Sequence, residues 1–120
     1  MCDARTRKYR AEMFQKQKHR CFYCHFPMWL KRPAKFATRF GLREADALRF
    51  KCTAEHLHAL CDGGTSRKDN IVAACQWCNQ HRHRFPVVPK PDRYLRGIRK
   101  QIEHGGWHPH RLHKMLALPA

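Results

Sequence analysis

Two pairs of cysteines constrain the fold of this chain more than any other feature of its sequence. Cys21 and Cys24 form one pair, Cys75 and Cys78 form the other, and fifty residues lie between the pairs. Two intervening residues let both sulfurs of a pair point at one ion from a tight turn, and four sulfurs satisfy tetrahedral zinc. A metal that ties distant segments together is most useful in a small domain. The sequence therefore predicts a structural Zn²⁺ that links an N-terminal knuckle to the start of a late helix.

The spacing leaves alternatives to this zinc site open. A redox-active CxxC would explain one pair, although neither pair lies in a thioredoxin-like βαβ pattern. One ligand could be replaced by a nearby histidine or by Cys52 or Cys61, which are otherwise expected, like Cys2, to be buried or surface thiols. The N-terminal residues lack the apolar core of a signal peptide, so we expect a cytoplasmic protein. Cytoplasmic thiols stay reduced, and the odd count of seven cysteines also favours metal over disulfides.

The charge of the chain points to a polyanionic partner. Lys and Arg number 25 against 9 Asp and Glu, so the formal net charge is +16. A domain that repels itself this strongly normally binds nucleic acid, with a membrane surface as the competing interpretation. No run of about 20 apolar residues is present to form a membrane span. We therefore expect nucleic acid as the partner and no membrane association.

The pattern of apolar residues predicts a single domain over the 120 residues. Residues 52–60 and 70–74 are expected to form two strands, with a Gly-Gly turn between them, and a helix is expected at 76–84. The other expected elements are a helix at 6–18, an insertion at 31–50 that packs on the side of the domain, a stiff linker at 86–91 and a basic helical extension at about 92–116.

The helix expected at 92–103 has two different faces. Tyr94, Ile98 and Ile102 recur every four residues and predict a packed face. The basic residues lie largely off that stripe, where they can meet phosphates. The predicted nucleic-acid contacts on this helix are Arg93, Arg96, Arg99 and Lys100.

The segment from Cys52 to Arg82 carries a second, chemical pattern. It contains Glu55-His56, then the Gly-Gly turn, then Asn70, then the second CxxC followed at once by Asn79. Together with the first knuckle, this order of features resembles the HNH endonuclease family, the zinc-stapled branch of the ββα-metal nucleases. The resemblance implies an α+β fold, with an HNH core at about 21–85 and flanking N- and C-terminal helices. It also implies a metal-dependent enzyme that hydrolyses phosphodiester bonds in DNA.

The resemblance assigns roles by position in the motif. His56 corresponds to the general base that deprotonates the attacking water, and Glu55 to a ligand of the catalytic divalent ion. Asn70 corresponds to the residue that braces the loop and orients the histidine. Asn79 corresponds to the second metal ligand, which makes this sequence an H-N-N variant. In a flat strand Glu55 and His56 would point to opposite faces, so the strand must bend there or the phosphate must lie at its end.

The types of ligand atom at the predicted catalytic site indicate which metal ion it would bind. Oxygen ligands from Glu55 and Asn79 suit Mg²⁺ or Mn²⁺, whereas His81 or His83 could supply a nitrogen ligand and favour a softer ion. Arg82 and Arg84 follow the motif and are candidates for binding phosphate. A catalytically inactive, zinc-stabilised nucleic-acid-binding module is the alternative function. The sequence is compatible with a monomer or a homodimer.

Overall fold

The computed structural model describes residues 3–116 of the chain. In chain order, the elements are α1 (Ala4–Lys16), α2 (Pro33–Phe40), α3 (Glu44–Leu48), β1 (Cys52–His56), β2 (Ile71–Cys75), α4 (Gln76–Arg82), α5 (Pro91–Glu103) and α6 (His110–Met115). This mixture of helices with one small antiparallel sheet confirms the predicted α+β class. None of the helices within residues 3–116 is long and apolar enough to cross a membrane.

The centre of the fold is the hairpin of β1 and β2. The strands pair antiparallel, with Cys52 opposite Cys75 at one end and His56 opposite Ile71 at the other. Every residue of β2 is buried, because α1 packs against the sheet and α4 follows β2 directly. The cysteine end of the hairpin therefore meets the sulfur cluster, while the histidine end opens into the long loop.

β1 ends at His56, earlier than the strand expected at 52–60. The physical reason is the side chain of Asn70. Its Oδ1 accepts a hydrogen bond from the His58 backbone N–H at 2.8 Å, and its Nδ2 donates to the His58 carbonyl at 3.0 Å. These bonds satisfy backbone groups that would otherwise continue the strand ladder, so the chain turns away from the sheet.

The loop after β1 is packed closely onto the strand end. The Gly64 N–H donates to the Ala59 carbonyl at 2.9 Å. A Cβ at Gly64 would lie 1.9 Å from the His58 carbonyl oxygen, so only glycine fits this approach. The loop that connects the two strands is therefore held in one arrangement beside the end of β1.

The segments outside the hairpin cover the sulfur cluster. The expected insertion forms α2 and α3, and the buried Phe36 of α2 packs near Phe50 with ring centres 6.2 Å apart. Tyr94 and Ile98 of α5 are buried, as the four-residue stripe predicted. The C-terminal helix α6 buries Leu112. The result is one apolar core with the four sulfurs inside it.

Candidate active site and zinc centre

The four predicted cysteines meet in the core. Their sulfurs all lie within 4.8 Å of one another, and all four residues are buried. Burial, reinforced by hydrogen bonds that the thiols donate to neighbouring sulfurs, raises the pKa of the Cys24 and Cys78 thiols. Four thiolates can therefore coexist here only around a cation, and this donor set fits a structural metal such as zinc.

Backbone N–H groups donate hydrogen bonds to two of the four sulfurs, which stabilises negative charge on them. Cys21 Sγ accepts from the N–H groups of Tyr23 and Cys75, each at 3.3 Å, and Cys75 Sγ accepts from the Cys78 N–H at 3.4 Å. Of the alternative sulfur ligands, Cys52 is buried in β1 outside the cluster and Cys61 is exposed. Cys2 lies outside the described residues.

Glu55 is a buried carboxylate with partners on both oxygens. It is 1% exposed. Its Oε2 accepts hydrogen bonds from the Tyr23 hydroxyl at 3.0 Å and from Arg82 Nη1 at 3.1 Å. Its Oε1 faces His83, whose Nε2 lies 2.9 Å away. Burial and the nearby Glu55 charge raise the pKa of Tyr23, so that hydroxyl stays a donor and fixes the orientation of the carboxylate.

Arg82 lies inside the molecule and not at the predicted nucleic-acid surface. The residue is 2% exposed. Besides its ion pair with Glu55, its guanidinium donates to the carbonyls of His56 at 2.9 Å, Leu57 at 2.8 Å and Pro89 at 3.0 Å. All of its donor nitrogens are used by the protein, because an arginine buried next to a carboxylate must be fully hydrogen-bonded. The expectation that Arg82 binds phosphate is therefore wrong.

His56 is half-buried at the end of β1. Its Nε2 lies 3.1 Å from the Ser66 hydroxyl in the connecting loop. Burial lowers the pKa of His56; the Glu55 charge opposes that shift and the His83 charge adds to it. A neutral imidazole that is fixed through one nitrogen leaves the other nitrogen free to accept a proton.

Asn70 holds the loop and makes no direct hydrogen bond with His56. Besides its two bonds to the His58 backbone, Nδ2 donates to the Thr65 carbonyl at 2.7 Å. That bond fixes the residue next to Ser66, which in turn contacts His56. The structure therefore links Asn70 to the imidazole through the loop.

Asn79 points from α4 toward β1. Its Nδ2 donates to Thr53 Oγ1 at 3.0 Å and to the Ala54 carbonyl at 3.2 Å. These bonds occupy the amide nitrogen, so Oδ1 is the atom that remains to coordinate an ion. His83 follows Asn79 by four residues and thus lies on the same side of the helix end.

The sequence pattern gave little or no indication of the roles of two residues at this site, His83 and Ser66. His83 was only an alternative nitrogen ligand, although its four-residue spacing from Asn79 was a usable signal. Ser66 was not singled out, because a serine in a loop carries no pattern. Its contact with His56 depends on how the loop folds back.

The predicted basic surface is partly used by the protein itself. Arg84, Arg93, Arg96 and Lys100 are exposed. Arg99 is half-buried, where it donates to the Tyr23 carbonyl at 3.3 Å and contacts His25. Arg99 thus braces the first knuckle, and the other four present their positive charge to solvent, although Arg96 lies 3.6 Å from Asp92.

The hairpin, the following helix and the sulfur cluster define a small ββα domain whose four cysteines fit a structural metal. Residues 45–85 of the chain match the model of the HNH endonuclease family. The matched segment contains both strands, the connecting loop and α4, which confirms the resemblance predicted from the sequence. No curated protein and no solved structure matches the chain significantly.

Proposed function

We propose that this protein is a metal-dependent DNA endonuclease that hydrolyses phosphodiester bonds. One observation carries the proposal. At the histidine end of the hairpin, the Glu55 carboxylate faces the His83 imidazole at 2.9 Å with His56 next in the chain, inside the segment that matches a nuclease family. The chemistry of these groups is that of a site for one divalent ion and one activated water.

Glu55, Asn79 and His83 would hold the catalytic ion. Among residues 3–116, the only group of three or more His, Cys, Asp or Glu that could hold a metal is the cysteine cluster, so this ion would have few protein ligands. Such a site suits Mg²⁺ or Mn²⁺, which keep several waters and bind substrate phosphate, and the His83 nitrogen extends the range to softer ions. A divalent ion bound there supplies charge relief at the phosphate and at the leaving oxygen.

His56 acts as the general base. The contact with Ser66 orients its ring, and its lowered pKa keeps it neutral near pH 7. Neutral imidazole accepts the proton of an attacking water, a contribution of about 10²–10⁴-fold in rate. Arg82 takes no direct part. It fixes Glu55 and the carbonyls on either side of the strand end, so the base and the carboxylate keep their relative positions.

The exposed basic residues of α5, together with Arg84 just after α4, would bind the DNA backbone. Arg93, Arg96, Lys100 and Arg84 offer charge to phosphates, although Arg96 also lies 3.6 Å from Asp92. Contacts of this kind release counterions, so the affinity falls steeply with salt. They position the duplex without reading its sequence.

Nicking of a supercoiled plasmid tests the proposal. The wild-type protein, with zinc retained, is compared with His56→Ala in added Mg²⁺ or Mn²⁺, and His104→Ala is the control because His104 is an exposed histidine on the far end of α5. We expect His56→Ala to lose about 10²–10⁴-fold in rate and His104→Ala to match the wild type. Equal activity of His56→Ala would refute the assignment of the base. Tight, salt-sensitive binding without cleavage in any divalent ion would support the inactive binding module.

A further inference from the structure

The indole of Trp107 contacts the zinc centre from outside the nuclease motif. Its Nε1 lies 3.3 Å from Cys78 Sγ. Trp107 follows α5 and is beyond the 45–85 segment that matches the nuclease family. Among residues 3–116, the other N–H donors to the four sulfurs are backbone groups of the two knuckles. Trp107 therefore provides the one side-chain N–H that this part of the chain directs at a sulfur.

The backbone at Trp107 is held in an unfavourable conformation. Its φ is +71°, in the left-handed region that bulky residues rarely adopt. Such a conformation is energetically unfavourable and persists only where the surroundings determine it. His113 supplies part of that restraint, because its Nε2 lies 2.9 Å from the Gly106 carbonyl and 3.2 Å from the His108 carbonyl. The turn is thus fixed on both sides of Trp107.

Arg49 joins the same turn to the sulfur cluster. Its Nη2 lies 3.0 Å from His108 Nδ1 and 3.5 Å from the Trp107 carbonyl oxygen. Its guanidinium carbon lies 3.5 Å from the ring centre of Trp77, one of the two residues between the cysteines of the second knuckle. Burial lowers the pKa of Arg49, and the charges of Cys75 and Cys78 oppose that shift. Arg49 therefore connects the turn at 105–108 to the second knuckle through Trp77.

The C-terminal extension also contacts the backbone carbonyl of Cys78. The Tyr94 hydroxyl of α5 donates to the Cys78 carbonyl at 2.6 Å. Cys78 is thus fixed through its sulfur by Trp107 and through its backbone by Tyr94, and both partners belong to the C-terminal extension. The extension that the sequence assigned to DNA binding has an inner face directed at the sulfur cluster.

We propose that Trp107 is a positioning residue of the zinc centre, donating an indole N–H hydrogen bond to the metal-bound sulfur of Cys78, and that the turn at 105–108 closes this centre together with Arg49. The hydrogen bond withdraws charge from the sulfur and opposes its protonation, which is the step that frees a thiolate from zinc. Partners of this kind around a metal typically contribute 10–100-fold to its affinity. The inference goes beyond the proposed nuclease function and does not depend on it.

Zinc release measures the effect of the indole. Purified zinc-loaded wild type, Trp107→Phe and Trp29→Phe are mixed with excess chromogenic chelator in the absence of DNA. Trp29 is the matched control, because its indole N–H donates to the Ala47 carbonyl at 2.6 Å and not to a sulfur. We expect release about 10–100-fold faster from Trp107→Phe than from the wild type, with Trp29→Phe close to the wild type. Release from Trp107→Phe within twofold of the wild type would overturn the proposal.

A second measurement needs no folded variant. In wild-type protein loaded with ¹¹³Cd, a proton shared between the indole nitrogen and a Cd-bound sulfur shows scalar coupling to the metal. We expect one indole proton to show this coupling and its resonance to shift when Cd²⁺ replaces Zn²⁺. Absence of any coupled indole proton would overturn the proposal even if Trp107→Phe failed to fold. Because neither experiment uses DNA, a failure here is distinct from a failure of the proposed function.

Discussion

Glu55 Oε1 and His83 Nε2 lie 2.9 Å apart, between the end of β1 and the end of α4. The other oxygen of the same carboxylate is bound by Arg82 and Tyr23 in the interior. Glu55 thus has one oxygen that belongs to the core and one that faces the half-exposed histidine. This division lets a buried carboxylate serve a site at the surface without losing its fixed orientation.

Removal of His83 should weaken the binding of the catalytic metal ion without unfolding the protein. The His83 side chain is 33% exposed, so its removal opens Glu55 Oε1, which it contacts, to water. We expect His83→Ala to raise the Mn²⁺ concentration for half-maximal nicking by about tenfold or more, where each decade corresponds to about 1.4 kcal/mol. A Mn²⁺ titration of wild type, His83→Ala and the control His104→Ala measures this. An unchanged Mn²⁺ requirement would exclude His83 as a ligand.

Removal of Arg82 should destabilise the fold. Arg82→Met leaves Glu55 buried without its cation and three carbonyls without their donor, which typically costs about 3–5 kcal/mol. Arg84→Met, at an exposed position two residues on, should stay within about 0.5 kcal/mol of the wild type. Urea unfolding of the zinc-loaded proteins gives both values. Equal stability of the two variants would contradict the structural role.

The pH dependence of nicking should follow the lowered pKa of His56. A general base works while it is neutral, so activity is present above its pKa and is lost as the pH falls through it. Because burial lowers the pKa of His56 from its ordinary value of 6.5, the acid limb of the rate profile should lie below pH 6.5. Nicking rates at saturating Mn²⁺ between pH 5 and 8 locate that limb. A limb above pH 6.5 would show that another group controls the reaction.

The Ser66 hydroxyl should raise the rate of cleavage by orienting the His56 imidazole. Ser66→Ala removes one hydrogen bond with a net value of about 0.5–1.5 kcal/mol, so we expect kcat to fall about two- to tenfold with little change in KM. Ser66→Thr keeps the hydroxyl and should restore most of the rate. Single-turnover cleavage of a defined duplex separates the two constants. If Ser66→Ala and Ser66→Thr lose the same activity, the hydroxyl has no such role.

Loss of one sulfur ligand should remove the structural metal and the fold together. Cys75→Ser takes a ligand from a site that lies in the core, and the folding of small metal domains depends on the metal. We expect its bound zinc to fall to a small fraction of the wild-type stoichiometry and its far-ultraviolet circular dichroism to weaken. Cys61→Ser is the control, since Cys61 is exposed. Full zinc content in Cys75→Ser would refute the four-sulfur site.

The sulfur site and the hairpin were predictable because local spacing encodes them. The CxxC pairs predict a tetrahedral site from geometry alone, and the stretch before Cys75 is apolar enough to indicate a buried strand. The four-residue stripe of Tyr94 and Ile98 likewise indicated which face of α5 is packed. In each case the signal lies within one element, where periodicity and chemistry are read directly.

The position of Arg82 could not be predicted in this way. On a short helix rich in histidine and arginine, nothing local distinguishes a buried guanidinium from a solvated one. Its burial follows from the carboxylate of Glu55, which lies on a different element and is far away in sequence. The contact of Ser66 with His56 and that of Trp107 with Cys78 have the same character. These contacts depend on how the loops fold back onto the core, and no periodic pattern in the sequence indicates that packing.

The zinc ligands lie on either side of the catalytic hairpin, and this order has a consequence for synthesis on the ribosome. Cys21 and Cys24 emerge first and can offer only two thiolates to an ion until the second knuckle follows. The strands between them therefore leave the exit tunnel before the clamp that fixes them exists. The hairpin can therefore be clamped only after the second knuckle has emerged and an ion has bound to all four sulfurs.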